Sequence, residues 1–127
     1  MTPAGQGPGS DLAGRRIIVV EDEALIAMML EDMLTDFGCE VVGVAGSLPE
    51  ALRLVDKAID CAVLDVNLGG SPIDPVMERL TDRGVPFVFL SGYDAADLPP
   101  HLSKAPLVRK PLKAETLRRA IVDQLAA

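Results

Sequence analysis

The sequence predicts a single α/β domain built on a doubly wound, five-stranded parallel sheet. Two observations carry this reading. From Arg15 onward, five short aliphatic runs alternate with stretches of helical periodicity. The runs are continuously apolar rather than alternating, as expected of strands buried on both faces between helix layers. A length of 127 residues suits one domain, and 49% apolar residues supply a core. With three Phe, one Tyr and no Trp, aliphatic side chains must fill it.

The first 14 residues, "MTPAGQGPGSDLAG", are rich in Gly and Pro and are expected to form a disordered tail, leaving 15–127 as the domain. "RRIIVV" (Arg15 to Val20) reads as the first strand. In "ALIAMMLEDMLTDFG", Ile26, Met29, Leu30, Met33, Leu34 and Phe37 recur at helical spacing as a core-facing stripe, and Gly38 suits the C-terminal cap. "CEVVGVA" (Cys39 to Ala45) is the second strand. The next helix starts with Ser47 as N-cap, Pro49 in the first turn and Glu50 at the capping-box position. "DCAVLDV" (Asp60 to Val66) is the third strand, and "IDPVMERLTDRG" a short helix ending at Gly84. "VPFVFL" (Val85 to Leu90) is the fourth strand. Pro99 and Pro100 then exclude a long regular helix. "PLVR" (Pro106 to Arg109) is a short fifth strand. "AETLRRAIVDQL" closes the chain with Leu117, Ile121 and Leu125 on one face.

Charge and composition exclude several functions. A net charge of −7 and a pI of about 4.6 argue against direct nucleic-acid binding and against anionic membrane surfaces. No apolar run reaches the roughly 18 residues of a membrane span, and no secretory signal opens the chain. The expected location is the cytoplasm. Cys39 and Cys61 both lie in strand-like runs and read as small, reduced core residues. His101, alone near two prolines, reads as a surface loop residue.

In open α/β sheets, ligands bind in the crevice beyond the carboxyl ends of the strands. Glu21, Asp22 and Glu23 follow the first strand, Asp65 ends the third, Ser91 follows the fourth and Lys110 the fifth. All fall at one edge of the sheet. Each alone has an ordinary reading: an acidic trio complements a helix dipole, "LSG" is a turn, and a lysine is an exposed charge. Together they describe a pocket. Carboxylates crowded at Glu21, Asp22 and Asp65 repel one another unless a cation sits between them. A hard divalent ion such as Mg²⁺ suits such oxygen ligands. Asp65 is then available as a carboxylate nucleophile. The Lys110 ammonium and Ser91 hydroxyl would stabilise a transferring phosphoryl group.

With "EDE" at Glu21 to Glu23, "LDVNLGG" around Asp65, "FLSGY" around Ser91 and "RKP" ending at Pro111, the chain from about Arg15 to Ala127 resembles the receiver domain of two-component response regulators. The resemblance implies a flavodoxin-like sheet of strand order 2-1-3-4-5 and a cis peptide at Lys110–Pro111. It implies a phosphoryl group passed to Asp65 from a phosphohistidine on a sensor histidine kinase or histidine phosphotransfer protein. Glu21, Asp22, Asp65 and the Asn67 carbonyl would hold Mg²⁺, with Ser91 and Lys110 on the phosphoryl oxygens. Such a domain catalyses only its own aspartyl phosphorylation and dephosphorylation. It is expected as a monomer or weak dimer, either stand-alone or part of a longer protein.

Two departures stand out. Most receivers carry Tyr or Phe where this chain has Leu107, and most have a helix where Pro99 and Pro100 lie. "FLSGY", with Tyr93 two residues after Ser91, resembles an alphaproteobacterial subclass with an F-x-T/S-G-aromatic signature. Leu107 lacks a ring, so the segment from Gly92 to Lys104 is expected to report phosphorylation by ordering. Two other functions compete. An aspartyl phosphohydrolase needs a second acid where Asn67 stands. A degenerate receiver, a phosphorylation-independent protein-binding module, needs none of the intact set of Asp22, Asp65, Ser91 and Lys110.

Overall fold

The computed structural model describes residues 12–92 and 105–126. Residues 1–11, 93–104 and 127 lie outside the described residues. With them go the expectations for Tyr93, Pro99, Pro100, His101 and most of the tail. The elements are β1 (Arg16–Val20), α1 (Ala24–Asp36), β2 (Glu40–Ala45), α2 (Leu48–Leu54), β3 (Cys61–Asp65), α3 (Asp74–Asp82), β4 (Phe87–Ser91), β5 (Leu107–Arg109) and α4 (Ala114–Ala126). All strand pairs are parallel, in the order β2-β1-β3-β4-β5. This is the doubly wound, flavodoxin-like sheet that the apolar runs and the family resemblance imply.

Alternation along each strand divides the core into two layers. Ile18, Val20, Ala62, Leu64, Phe87 and Phe89 face the α2–α3 side. Ile17, Val19, Cys61, Val63, Val88 and Leu90 face the side of α1 and α4. The central strands are therefore apolar on both faces, the reason their sequences show no polar alternation. Both cysteines are buried free thiols, and burial pushes them up to about 11 for Cys39 and about 12 for Cys61.

Local signals act where the sequence puts them. Gly38 takes φ +90° just after α1, a left-handed conformation open to glycine at little cost, and its N–H donates to the Thr35 carbonyl. Ser47 Oγ accepts from the Glu50 N–H, while Glu50 Oε1 accepts from Ser47 Oγ and the Gly46 N–H. Glu50 thus caps one residue further back than a standard capping box. Arg79 pairs with Asp56, and Arg83 donates to the carbonyls of Val55 and Lys57, tying α3 to the end of α2.

Two expectations need correction. Met29 does not face the core. Ala27, Leu30 and Leu34 form the buried line of α1, and Met29 sits about 100° round the helix from Leu30, exposed beside Leu25 and Met28. The ordered domain also begins before Arg15. Leu12 is fully buried in the α1–α4 layer, and the Gly14 N–H donates to the Gly38 carbonyl at 2.8 Å. One apolar side chain in a Gly-rich stretch gives no periodic signal, but tertiary packing uses it. Leu12→Ala should cost about 2 kcal/mol, read as a lower urea midpoint with an unchanged slope. An unaltered midpoint would return residues 12–14 to the tail.

Candidate functional site

The carboxyl ends of β1, β3, β4 and β5 converge on one polar pocket of about 280 Å³, lined by Asp22, Glu23, Asp65, Val66, Asn67, Ser91, Gly92 and Lys110. Its geometry follows from the sheet. Asp65 and Ser91 are the last residues of neighbouring strands, and the Lys110 N–H donates to the Ser91 carbonyl at 2.8 Å, carrying the ladder one residue past β5. Three residues far apart in sequence are thereby fixed by backbone.

Asp65 stands at the end of its strand as expected, but it is shut from bulk water at 3% exposure. Both its oxygens are held. Oδ1 accepts the Asn67 N–H at 3.0 Å, and Oδ2 accepts Lys110 Nζ at 3.4 Å. Lys110 Nζ also lies 3.1 Å from Glu21 Oε1 and 3.6 Å from Glu23 Oε1. One ammonium therefore serves three carboxylates. The Lys110–Pro111 peptide is cis, as the resemblance implies.

The acids after β1 do not cap α1. Glu23 occupies the N-cap position, yet its side chain makes no cap bond, and the first turn holds no acid. Glu21 and Glu23 instead pair with Lys110, and Asp22 and Glu23 line the pocket. Glu21 is buried, its Oε2 accepts the Glu23 N–H at 3.1 Å, and the partner of its Oε1 is the Lys110 ammonium. Burial, reinforced by the neighbouring Asp65 carboxylate, pushes Glu21 up to about 7, against the pull of the Glu23 N–H and Lys110. For Lys110, burial favours the neutral amine, but Glu21 and Asp65 outweigh it and hold the ammonium above its ordinary range.

Oxygens of Glu21, Asp22 and Asp65 lie within 4.8 Å of one another. These carboxylates are a hard donor set able to hold a divalent cation. The Asn67 carbonyl accepts the Gly69 N–H at 3.0 Å and has a second lone pair for another partner. Gly69 has φ +58°, and a Cβ there would lie 3.7 Å from Asp22 Oδ2. The glycine loop thus passes close over the acid without crowding it. The sequence singled out every one of these residues except Gly69. It grouped Glu23 with the acids but did not separate its pairing with Lys110.

The Response regulator receiver domain model matches residues 17–122. The chain belongs to the response regulator receiver family. It is 37% identical over 97 residues to the transcriptional regulatory protein PdtaR of Mycobacterium tuberculosis, covering 72% of this chain and 47% of PdtaR. Among solved structures, the response regulator PhyR from Brucella abortus superposes with a TM-score of 0.79 at 33% identity, covering 95% of this chain and 51% of PhyR. SdrG from Sphingomonas melonis Fr1 superposes with a TM-score of 0.77 at 39% identity, covering 92% of this chain and 98% of SdrG. The chain thus spans about half of PdtaR and of PhyR. The likeness to PhyR and SdrG, both alphaproteobacterial, bears out the resemblance read from the sequence. Receiver domains are parts of regulators that interact with kinases or phosphotransfer proteins, so the family is one of signalling domains. Among the described residues no helix is long and apolar enough to cross a membrane.

Proposed function

We propose that this receiver is a phosphorylatable switch in which Asp65 accepts a phosphoryl group from a phosphohistidine donor. The observation that carries the reading is Asp65 itself: a buried strand-terminal carboxylate held between the Asn67 N–H and the Lys110 ammonium, opening on a pocket lined by Ser91 and Asp22. In the transfer, Asp65 forms a carboxyl O–P bond as the donor's P–N bond breaks, its electron pair returning to the imidazole. Lys110 moves from carboxylate to phosphoryl oxygen, and the Ser91 hydroxyl donates to another. The Glu21, Asp22 and Asp65 oxygens, with the Asn67 carbonyl, fit Mg²⁺ as the resident cation. When bound, it neutralises charge on the phosphoryl oxygens. Water later hydrolyses the acyl phosphate, so the domain turns over only its own phosphoryl group.

The donor would be a sensor histidine kinase or a histidine phosphotransfer protein. Helix α1 follows the pocket residues Asp22 and Glu23 directly and exposes Leu25, Met28 and Met29, an apolar surface for such a partner. Incubation with candidate kinases, ATP and Mg²⁺, read by intact mass, tests the proposal. Growth of a single phosphoryl adduct that hydroxylamine removes supports an acyl phosphate. An adduct that survives hydroxylamine overturns the assignment to a carboxylate.

A further inference from the structure

Resting on the acceptor reading above, we propose that Glu23 is a specificity-determining residue that restrains phosphorylation by small, free phosphodonor anions. Its carboxylate lies 3.6 Å from Lys110 Nζ on the pocket wall, is 63% exposed, and stands outside the Glu21–Asp22–Asp65 group. Among the described residues that wall the pocket or pair with Lys110, four carboxylates (Glu21, Asp22, Glu23 and Asp65) face one ammonium. With these groups ionised, a divalent cation at the Glu21–Asp22–Asp65 group leaves one negative charge in surplus. Glu23 is the exposed carboxylate left outside that group.

Two effects follow from that position. The Glu23 carboxylate repels an incoming phosphoryl dianion, since an exposed charge acts over about a Debye length, roughly 10 Å at 0.1 M salt. It also competes for Lys110, which is 17% exposed and must leave a carboxylate to meet the phosphoryl oxygens. A protein donor can offset the first effect by bringing its own cation against the exposed acid. A free acyl phosphate cannot. Glu23 therefore favours delivery by a protein surface over adventitious transfer. In the free reaction, Asp65 gains an O–P bond as the acyl O–P bond breaks and its electron pair leaves with the carboxylate.

The test is Glu23→Gln in the intact chain with Mg²⁺, using acetyl phosphate, a dianion, and phosphoramidate, which carries less negative charge. Adduct formation is followed by intact mass. The expected result is a three- to tenfold faster reaction (about the range for one removed like charge) with acetyl phosphate. Phosphoramidate should gain clearly less, and both gains should shrink as salt approaches 1 M. Glu23→Asp, which keeps the charge, should stay near wild type. A structural role for Glu23 would not sort the donors by charge. Equal or slower reaction of Glu23→Gln with both donors, in a chain whose wild type is phosphorylated normally, overturns the inference alone. No adduct in the wild type from either donor overturns the acceptor reading and this inference with it.

Discussion

Asp65→Asn is expected to reduce phosphoryl uptake by roughly a hundredfold or more while leaving the fold intact. Asparagine matches aspartate in shape, so the Asn67 N–H keeps an acceptor at the position of Oδ1. The substitution removes the nucleophilic oxygen and one negative charge from a crowded site. Lys110 retains Glu21 and Glu23 as partners, so its ammonium is not orphaned. Glu21 loses the carboxylate that helps to push it upward, so ionisation there becomes easier. The metal-free variant should therefore melt no lower than wild type. Thermal melting beside intact mass separates a lost nucleophile from a lost fold. An adduct that forms on the folded variant at the wild-type rate would place the acceptor elsewhere.

Much of this site was legible because the sheet does the assembling. A parallel, doubly wound sheet puts every strand's carboxyl end at one edge, so reading the residue at or after each apolar run nominates Glu21, Asp22, Asp65, Ser91 and Lys110 without side-chain geometry. Strand order was legible through the family resemblance, and the two-faced burial through unbroken runs such as "CAVLD". What escaped depends on contacts between distant segments. Leu12 is buried by the α1–α4 layer rather than by any local pattern. Met29 shares the helical spacing of the core stripe, but only packing decides which flank of α1 meets the sheet. The three acids at Glu21 to Glu23 look alike in sequence. Their separate tasks arise because Lys110, brought in by the end of β5, reaches one buried and one exposed member of the trio. Leu107, where most receivers carry an aromatic, is the first residue of β5 and packs partly buried against the α2–α3 layer.

Mg²⁺ should raise the melting temperature strongly at pH 8 and weakly at pH 5, and Asp22→Asn should remove most of that rise. The pH dependence comes from Glu21. Its carboxyl sits at about 7 in the fold against an ordinary 4.5, so the folded state favours the protonated form. That contribution to stability is fully present below about pH 4.5 and is lost as pH rises through 7. Over this window the metal-free protein should lose up to about 3 kcal/mol from this one group. Lys110 does not oppose the trend, because its raised value lies far above the window and it stays an ammonium throughout. A cation held by these oxygens needs the carboxylate ionised, so its affinity rises over the same interval in which the metal-free fold weakens. At a hundredfold excess over Kd, binding to the folded state contributes about 2.7 kcal/mol, or on the order of 10 °C for a domain of this size. Asp22→Asn removes one of the three converging carboxylates and one repelling charge. The variant should melt at or above wild type without Mg²⁺ and respond little when it is added. A Mg²⁺ shift that is flat from pH 5 to pH 8, or that survives in Asp22→Asn, would mean that the cation binds away from the oxygens of Glu21, Asp22 and Asp65.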